Sequence, residues 1–297
     1  MRAQVTLIPT ESKKLIGLAV ANMPEVQHAA RHGTVVMHPS SSTFFIASEL
    51  LGRRPPTDYW VCGVTVPKGT CVEIGTCVGP HAIAAANPEE SATTGNPEAF
   101  RFSWVIRQGE FVTGLSLTQL LKEMGPDDVY IKGVNAIDPN RHVGILVGNL
   151  VEGGTIGRVV AGAARKGFKL IWPVGLEKLI PVAVEDAAKE ALKSQYTYSM
   201  GISCGLFPCK EGAVVTETDA VRILADCDAI PIAAGGLGGA EGAVTLVVKG
   251  SDENVKRAVS YVERCKGAEL PLVRTFNCID CHQPICSFPV SDKHWVV

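Results

Sequence analysis

Hydrophobic positions along the chain change period repeatedly, and each change marks an element. In "TESKKLIGLAVANM" the lysines fall on one side of a 3.6-residue turn and Leu15, Ile16, Leu18 and Ala19 on the other. This predicts a helix with Thr10 as cap candidate. "GTVVMHP" is a short apolar run and predicts a buried strand. "SSSTFFIASELLG" predicts a helix opened by hydroxyl caps and closed by Gly52. "DYWVCGVTV" reads as a further strand, the Gly/Pro/Asn-rich segment after it as a loop, and "FRFSWVIRQGEFVTG" as a hairpin turning at Gln108-Gly109. "SLTQLLKEM", "GGTIGRVVAGAARKG" and "EDAAKEALKSQY" predict helices, with strands at "DDVYIKGVNAID" and "FKLIWPV" between them. Strands separated by helices of this length favour an α/β fold, a mainly parallel sheet with helices on its faces.

After "CGLFPCKEG" the pattern changes. "AVVT", "ETDAVRILADC", "AIPIAAGG", "GAVTLVVKG", "SDENVKRAVSYVERCKG" and "LPLVRTF" read as β, α, β, β, α, β, the order of a ferredoxin-like unit. The expected division is therefore an α/β domain over 1–200, a ferredoxin-like α+β domain over 201–276 and a cysteine-containing tail over 277–297. The glycine-rich "GGLGGAEG" joins the two middle strands of the second unit. It precedes a strand rather than a helix, so it reads as a hairpin and not as a dinucleotide loop.

Charge and composition narrow the function. The chain has 297 residues, with 28 basic against 30 acidic side chains and a net charge of −2. No broad basic field is present to hold a phosphodiester backbone, which disfavours nucleic acid as partner. The N-terminal stretch lacks the apolar region of a signal peptide, and no run reaches the ~18 apolar residues of a membrane span. These features predict a cytoplasmic protein that does not engage membranes, and they leave a homo-oligomer open.

Two loops have the chemistry of an anion site. Ser41, Ser42 and Thr43 follow a strand and open a helix, where backbone N–H groups and hydroxyls converge on the positive end of the helix dipole. A run of ordinary N-caps is the competing reading. Gly153 and Gly154 open another helix and would let backbone approach a ligand, with Thr155 and Arg158 as further donors. Close helix–sheet packing would equally call for glycine there.

Three segments resemble the ribose-5-phosphate isomerase/CoA-transferase-like superfamily, and in the expected order. "GTVVMHPSSSTFFIASELLG" looks like its phosphate-gripping strand, loop and helix. "DDVYIKGVNAIDPN" looks like the strand and loop that carry the isomerase's acidic motif. "VEGGTIGRVVAGAARKGFKLIWPVGLEKLIP" looks like the glycine loop, helix, strand and lysine-bearing turn that follow. The resemblance implies an anionic, phosphorylated or acyl/CoA-type ligand and a role for Lys178 in meeting it. It also departs from the family: where the isomerase has a D-G-A-D-E pattern, this chain has Lys132-Gly133-Val134-Asn135-Ala136. Asp138 just downstream and Glu152 before the two glycines remain as catalytic candidates. Asp138 would accept a ligand hydroxyl, though "IDPN" is also a turn signal. Glu152 matches the position of a transferase nucleophile, though a glutamate near a helix start also simply favours the dipole.

Ten cysteines in a cytoplasmic chain argue for buried, reactive or metal-binding thiols rather than a disulfide framework. "CIDCH" fits a haem attachment motif, a chemistry of exported proteins that the missing export signal disfavours. Cys204 and Cys209 flank the domain junction, while Cys278, Cys281 and Cys286 follow the last predicted strand. In a βαββαβ sheet the first and last strands lie antiparallel and adjacent, so the two groups would meet at one end. Together they would suit zinc or an iron–sulfur cluster, with reduced tail thiols or a redox pair as alternatives. Cys62, Cys71, Cys77, Cys227 and Cys265 read as packing residues. The leading expectation is a metabolic protein, either an isomerase- or transferase-like enzyme with a small anionic metabolite or a protein built around a cysteine metal site.

Overall fold

The computed structural model describes residues 1–57, 103–147, 153–191, 196 and 204–272, and the backbone of short strands at 61–62, 70–72, 77–78 and 275–277. In chain order the elements are β1 (Arg2–Leu7), α1 (Pro9–Ala21), α2 (Pro24–His32), β2 (Thr34–Met37), α3 (Ser41–Leu51), β3 (Val61–Cys62), β4 (Thr70–Val72), β5 (Cys77–Val78), β6 (Trp104–Arg107) and β7 (Glu110–Val112). Next come α4 (Leu117–Glu123), β8 (Val129–Ile131), β9 (Ala136–Ile137), β10 (Val143–Val147), α5 (Gly154–Lys166), β11 (Lys169–Pro173) and a 3-10 turn at Leu176–Lys178. The rest are α6 (Val184–Glu190), β12 (Gly205–Cys209), β13 (Ala213–Val215), α7 (Glu217–Ala225), β14 (Asp228–Ala234), β15 (Val244–Lys249), α8 (Asp252–Cys265) and β16 (Thr275–Asn277).

Six strands form the central sheet in the order β13-β11-β8-β2-β6-β7. The first four run parallel, and β6 and β7 close one edge as an antiparallel hairpin. The hairpin turns at Gln108 and Gly109, both at positive φ (49° and 86°), which matches the twist of a two-residue turn. Because successive side chains on a strand face opposite ways, the apolar strands fill two cores. Val35, Met37, Trp104, Ile106, Val129, Ile131 and Ile171 face one, while Val36, Val105, Tyr130, Leu170 and Trp172 face the other. The α/β class with a mainly parallel sheet is what the alternating pattern predicts.

The first of these cores continues beyond the central sheet. Beneath α1 lies a second, antiparallel sheet in the order β1-β15-β14. Val5, Leu7, Val244, Leu246 and Val248 from it, with Val255, Ala258 and Val262 of α8, belong to the same apolar cluster as β2 and β8. Residues on both sides of position 200 thus share one core.

The ferredoxin-like order expected over 201–276 meets a different pairing here. Strand β13 joins the central sheet beside β11, through Ile171↔Ala213 and Trp172↔Val214. The place next to β15 goes instead to β1, from Arg2↔Lys249 to Leu7↔Val244. The 275–277 strand pairs with 70–72. The physical reason on the β1 side is that "RAQVTL" alternates in polarity and offers Val5 and Leu7 to the core, while β13 takes the edge of the central sheet and buries Val215. The cap of α1 also differs from expectation. Pro9 takes the first helical position and Glu11 accepts the Ile8 N–H at 3.0 Å, so Thr10 lies inside the helix. Among the described residues no helix is long and apolar enough to cross a membrane.

Candidate active site at the carboxyl ends of the parallel strands

Ligands in open parallel sheets bind beyond the carboxyl ends of the strands. At that edge β2 leads to His38 and the serine loop, β8 to Lys132 and Gly133, β11 to Glu177 and Lys178, and β13 to Glu217. Helix α1 adds Lys13 from above the same edge.

The serine loop is held from below. Ser40 is the N-cap of α3 and accepts the Thr43 N–H at 3.2 Å; the Thr43 hydroxyl donates to the His38 carbonyl at 2.7 Å. Ser40 and Thr43 therefore build the cap, and Ser41 and Ser42 stand outside its hydrogen bonding. The loop packs on the turn after β8. A Cβ added at Gly133 would lie 3.0 Å from the Ser40 hydroxyl oxygen and 3.1 Å from that of Ser42. The first two segments of the family resemblance are thus in contact, through a residue that has no side chain. His38 is buried, and burial with Lys132 alongside holds its imidazole well below the usual value. It is a neutral ring at pH 7.

Beside this loop lie charged side chains with little water around them. Lys178 is partly buried and its ammonium donates to the Val134 carbonyl at 2.7 Å. Burial pushes that ammonium down to about 8; Lys13 and Lys132 push the same way, and Glu177 and Glu217 oppose them. Glu217 is fully buried at the start of α7, and both its oxygens accept the Leu176 N–H, at 3.0 and 3.2 Å. Burial pushes its carboxyl up to about 7. The Glu177 carboxylate adds to that rise, and hydrogen bonds to the carboxylate offset it only in part. The Glu177 oxygens are buried and accept no hydrogen bond among the described residues; the Lys13 ammonium compensates them at 3.2 Å. Three lysines face two glutamates, one of which is half protonated near neutrality. Lys13, Lys132, Lys178 and the serine loop are the groups at this edge whose chemistry suits an anion.

The other predicted residues lie elsewhere or do structural work. Asp138 is buried, with one oxygen taken by the Asn140 and His142 N–H groups and the other by that of Val184. Its carboxylate holds a turn and the start of α6, which is the turn reading of "IDPN". Glu152 lies outside the described residues. Gly153 and Gly154 open α5 at φ 71° and 61°, with Gly153 packed against the Phe207 ring. Thr155 follows in the first turn of α5. Arg158 donates to the Thr118 hydroxyl at 2.8 Å, tying α5 to α4. Gly153 and Arg158 thus each meet a neighbouring element.

Cys209 ends strand β12 and Cys204 precedes it by one residue, and Cys278, Cys281 and Cys286 lie outside the described residues. At ~3.3 Å per residue the strand spans roughly 13 Å from Gly205 to Cys209, whereas thiolates on one zinc approach within about 4 Å of each other. The pair does not converge on one ion in this arrangement. The adjacency expected to unite the two cysteine groups is also replaced, because β13 and the 275–277 strand belong to different sheets. Cys209 is buried, and burial pushes its thiol up to about 12 with Glu211 adding to the shift. Cys227 and Cys265 are buried in the core, as expected of packing residues.

Another group of donors does converge. Asp138, His142 and Glu185 each present one atom, all within 4.8 Å of one another. His142 Nδ1 lies 2.9 Å from Glu185 Oε1, and Lys210 Nζ reaches the same oxygen at 2.9 Å. With Asp138 bound to three amides and Glu185 to a lysine, this cluster is charge-compensated by protein groups.

Sequence reasoning placed Ser41, Ser42 and Lys178 at this edge and missed Lys13, His38, Lys132, Glu177 and Glu217. For His38, Lys132 and Glu217 the available signal was a charged or imidazole side chain one or two residues beyond an apolar strand; Lys13 lies within α1 and Glu177 in the turn after β11.

No protein-family model and no curated protein matches the chain. Among solved structures it is similar to a D-ribose-5-phosphate isomerase in complex with phospho-erythronic acid, at 13% identity over 81% of this chain and 79% of that one, with a TM-score of 0.28. It is also similar to the ribose 5-phosphate isomerase of Plasmodium falciparum, at 12% identity over 89% and 90% of the two chains, with a TM-score of 0.25.

Proposed function

We propose that the carboxyl edge of the parallel sheet binds a small anionic metabolite carrying a carbonyl group and moves a proton on it. The observation that carries this reading is the pair Lys178 and Glu217, a buried ammonium and a buried carboxyl brought by burial to about 8 and about 7 at one sheet edge. The anionic end, a phosphate or carboxylate, is assigned to Ser41, Ser42 and the first turn of α3, with Lys132 beside it. Such a cradle supplies backbone donors, hydroxyls and positive charge together. Glu217, poised near neutrality, is the acid or base, and the neutral His38 and Lys178 polarise the carbonyl. Asp138 is not given a chemical role because its oxygens serve the backbone.

The test is a thermal-shift titration of the full chain with inorganic phosphate and with short phosphorylated aldoses and ketoses. Stabilisation is expected for the wild type, and its loss for Ser41→Ala with Ser42→Ala. Absence of any shift with the wild type, or an unchanged shift with the double variant, would overturn the reading.

A further inference from the structure

Lys178 sits in a setting that suits covalent chemistry. An amine attacks a carbonyl only when neutral, and a lysine becomes a nucleophile at neutral pH when desolvated among other cations. The Lys178 ammonium is placed so. Lys13 of α1 and Lys132 at the end of β8 lie on its cationic side; Glu177, next to it in the turn, and Glu217 of α7 are the carboxylates that face it. Among the described residues it donates to a neutral carbonyl, that of Val134. Val134 follows Gly133, which packs directly on the Ser40 and Ser42 hydroxyls. The carbonyl that accepts from the amine and the glycine that packs on the serine loop are therefore neighbours on the turn after β8.

We propose that Lys178 forms an imine with the aldehyde or ketone of a short-chain substrate whose phosphate or carboxylate is held at Ser41 and Ser42. The proposal rests on the anion-site reading above. In the first step the Nζ lone pair attacks the carbonyl carbon, the C–O π bond breaks, and the oxygen takes a proton to give a carbinolamine. In the second the hydroxyl leaves with a further proton as water while nitrogen forms the C=N bond. The sum is carbonyl plus protonated lysine to protonated imine plus water, and no oxidant or reductant is consumed. Glu217, whose charge acts on Lys178, is assigned the proton transfers of both steps. The cationic imine would then acidify the adjacent C–H, so the substrate class is a hydroxy-aldehyde or hydroxy-ketone bearing an anionic end.

The experiment treats the full chain with glycolaldehyde phosphate and cyanoborohydride at about pH 7.5, then maps modified lysines by peptide mass. Lys178 is expected to be labelled about tenfold faster or more than any other lysine, because burial lowers its ammonium to about 8. Inorganic phosphate should slow that labelling and leave the others unchanged. Lys178→Arg should keep the phosphate-induced thermal shift and lose the fast-labelled site. If that variant does not fold, the wild type still decides: its Lys178 labelling should rise with pH and level off above about 8. A phosphate shift with no preference for Lys178 overturns the imine and leaves the anion site standing. Fast Lys178 labelling with no effect of phosphate on labelling or melting overturns the anion site, and the proposal as stated with it.

Discussion

Glu217 makes folding stability depend on pH in a direction opposite to that of an ordinary carboxylate. Its carboxyl has a value near 4.5 when solvated and about 7 in the fold. Between those values the native state holds a proton that the unfolded state has released, so stability falls as pH rises through the window and stays lower above it. Each unit is worth about 1.4 kcal/mol, so the loss amounts to about 3 kcal/mol. Lys178 works in the other direction and in another window. Its ammonium falls from 10.5 to about 8, so the unfolded state binds the extra proton between those values and stability rises with pH there. These two groups together cost the fold most between about pH 7 and 8, where both are charged. The perturbation is Glu217→Gln, which keeps an acceptor for the Leu176 N–H and removes the titration. Urea unfolding of wild type and variant at about pH 4, 6 and 8 gives the difference at each pH, and other titrating groups cancel. The variant should gain about 3 kcal/mol relative to wild type across that range, most of it between pH 5 and 7. Identical pH slopes for the two proteins would refute a protonated Glu217.

Three further outcomes follow from contacts already described. Gly133→Ala places a methyl group 3.0 to 3.1 Å from the Ser40 and Ser42 side chains; phosphate affinity measured by calorimetry should fall while far-UV circular dichroism is unchanged. Asp138→Ala strands three amides that its carboxylate now serves; denaturant unfolding should show a loss of about 2–5 kcal/mol, with phosphate binding intact in the folded fraction. Cys209, held protonated by burial, should resist iodoacetamide at about pH 8 in native protein and react once urea unfolds it; rapid native alkylation would contradict that environment.

What was legible in the sequence depended on range. Period and capping are local, so helices at 41–51, 117–123, 154–166 and 252–265 and the Gln108-Gly109 hairpin could be read directly. Which strand pairs with which is not local. "AVVT" reads as a strand whether it joins β11 or β15, and only the packing of the finished chain decides. "RAQVTL" is short and half polar, and its identity as a strand rests on β15 far along the chain. The site divides in the same way. The serine loop and Lys178 sit in short segments with local signatures. The charge cluster draws Lys13, Lys132, Glu177 and Glu217 from four separate elements, and nothing in the spacing of these residues links them.

The pairing of β1 with β15 also constrains how the chain is made. From Arg2↔Lys249 to Leu7↔Val244 every partner of the first strand is encoded near the other end, and the Met1 ammonium reaches the Gly250 carbonyl at 2.8 Å. During synthesis β1 waits, with Val5 and Leu7 lacking their β15 neighbours, until the residues between the two strands have followed. Contacts that distant in sequence form late and slowly. The nascent protein would therefore expose this strand to chaperones and proteases until its partner, about 240 residues later, arrives to cover it.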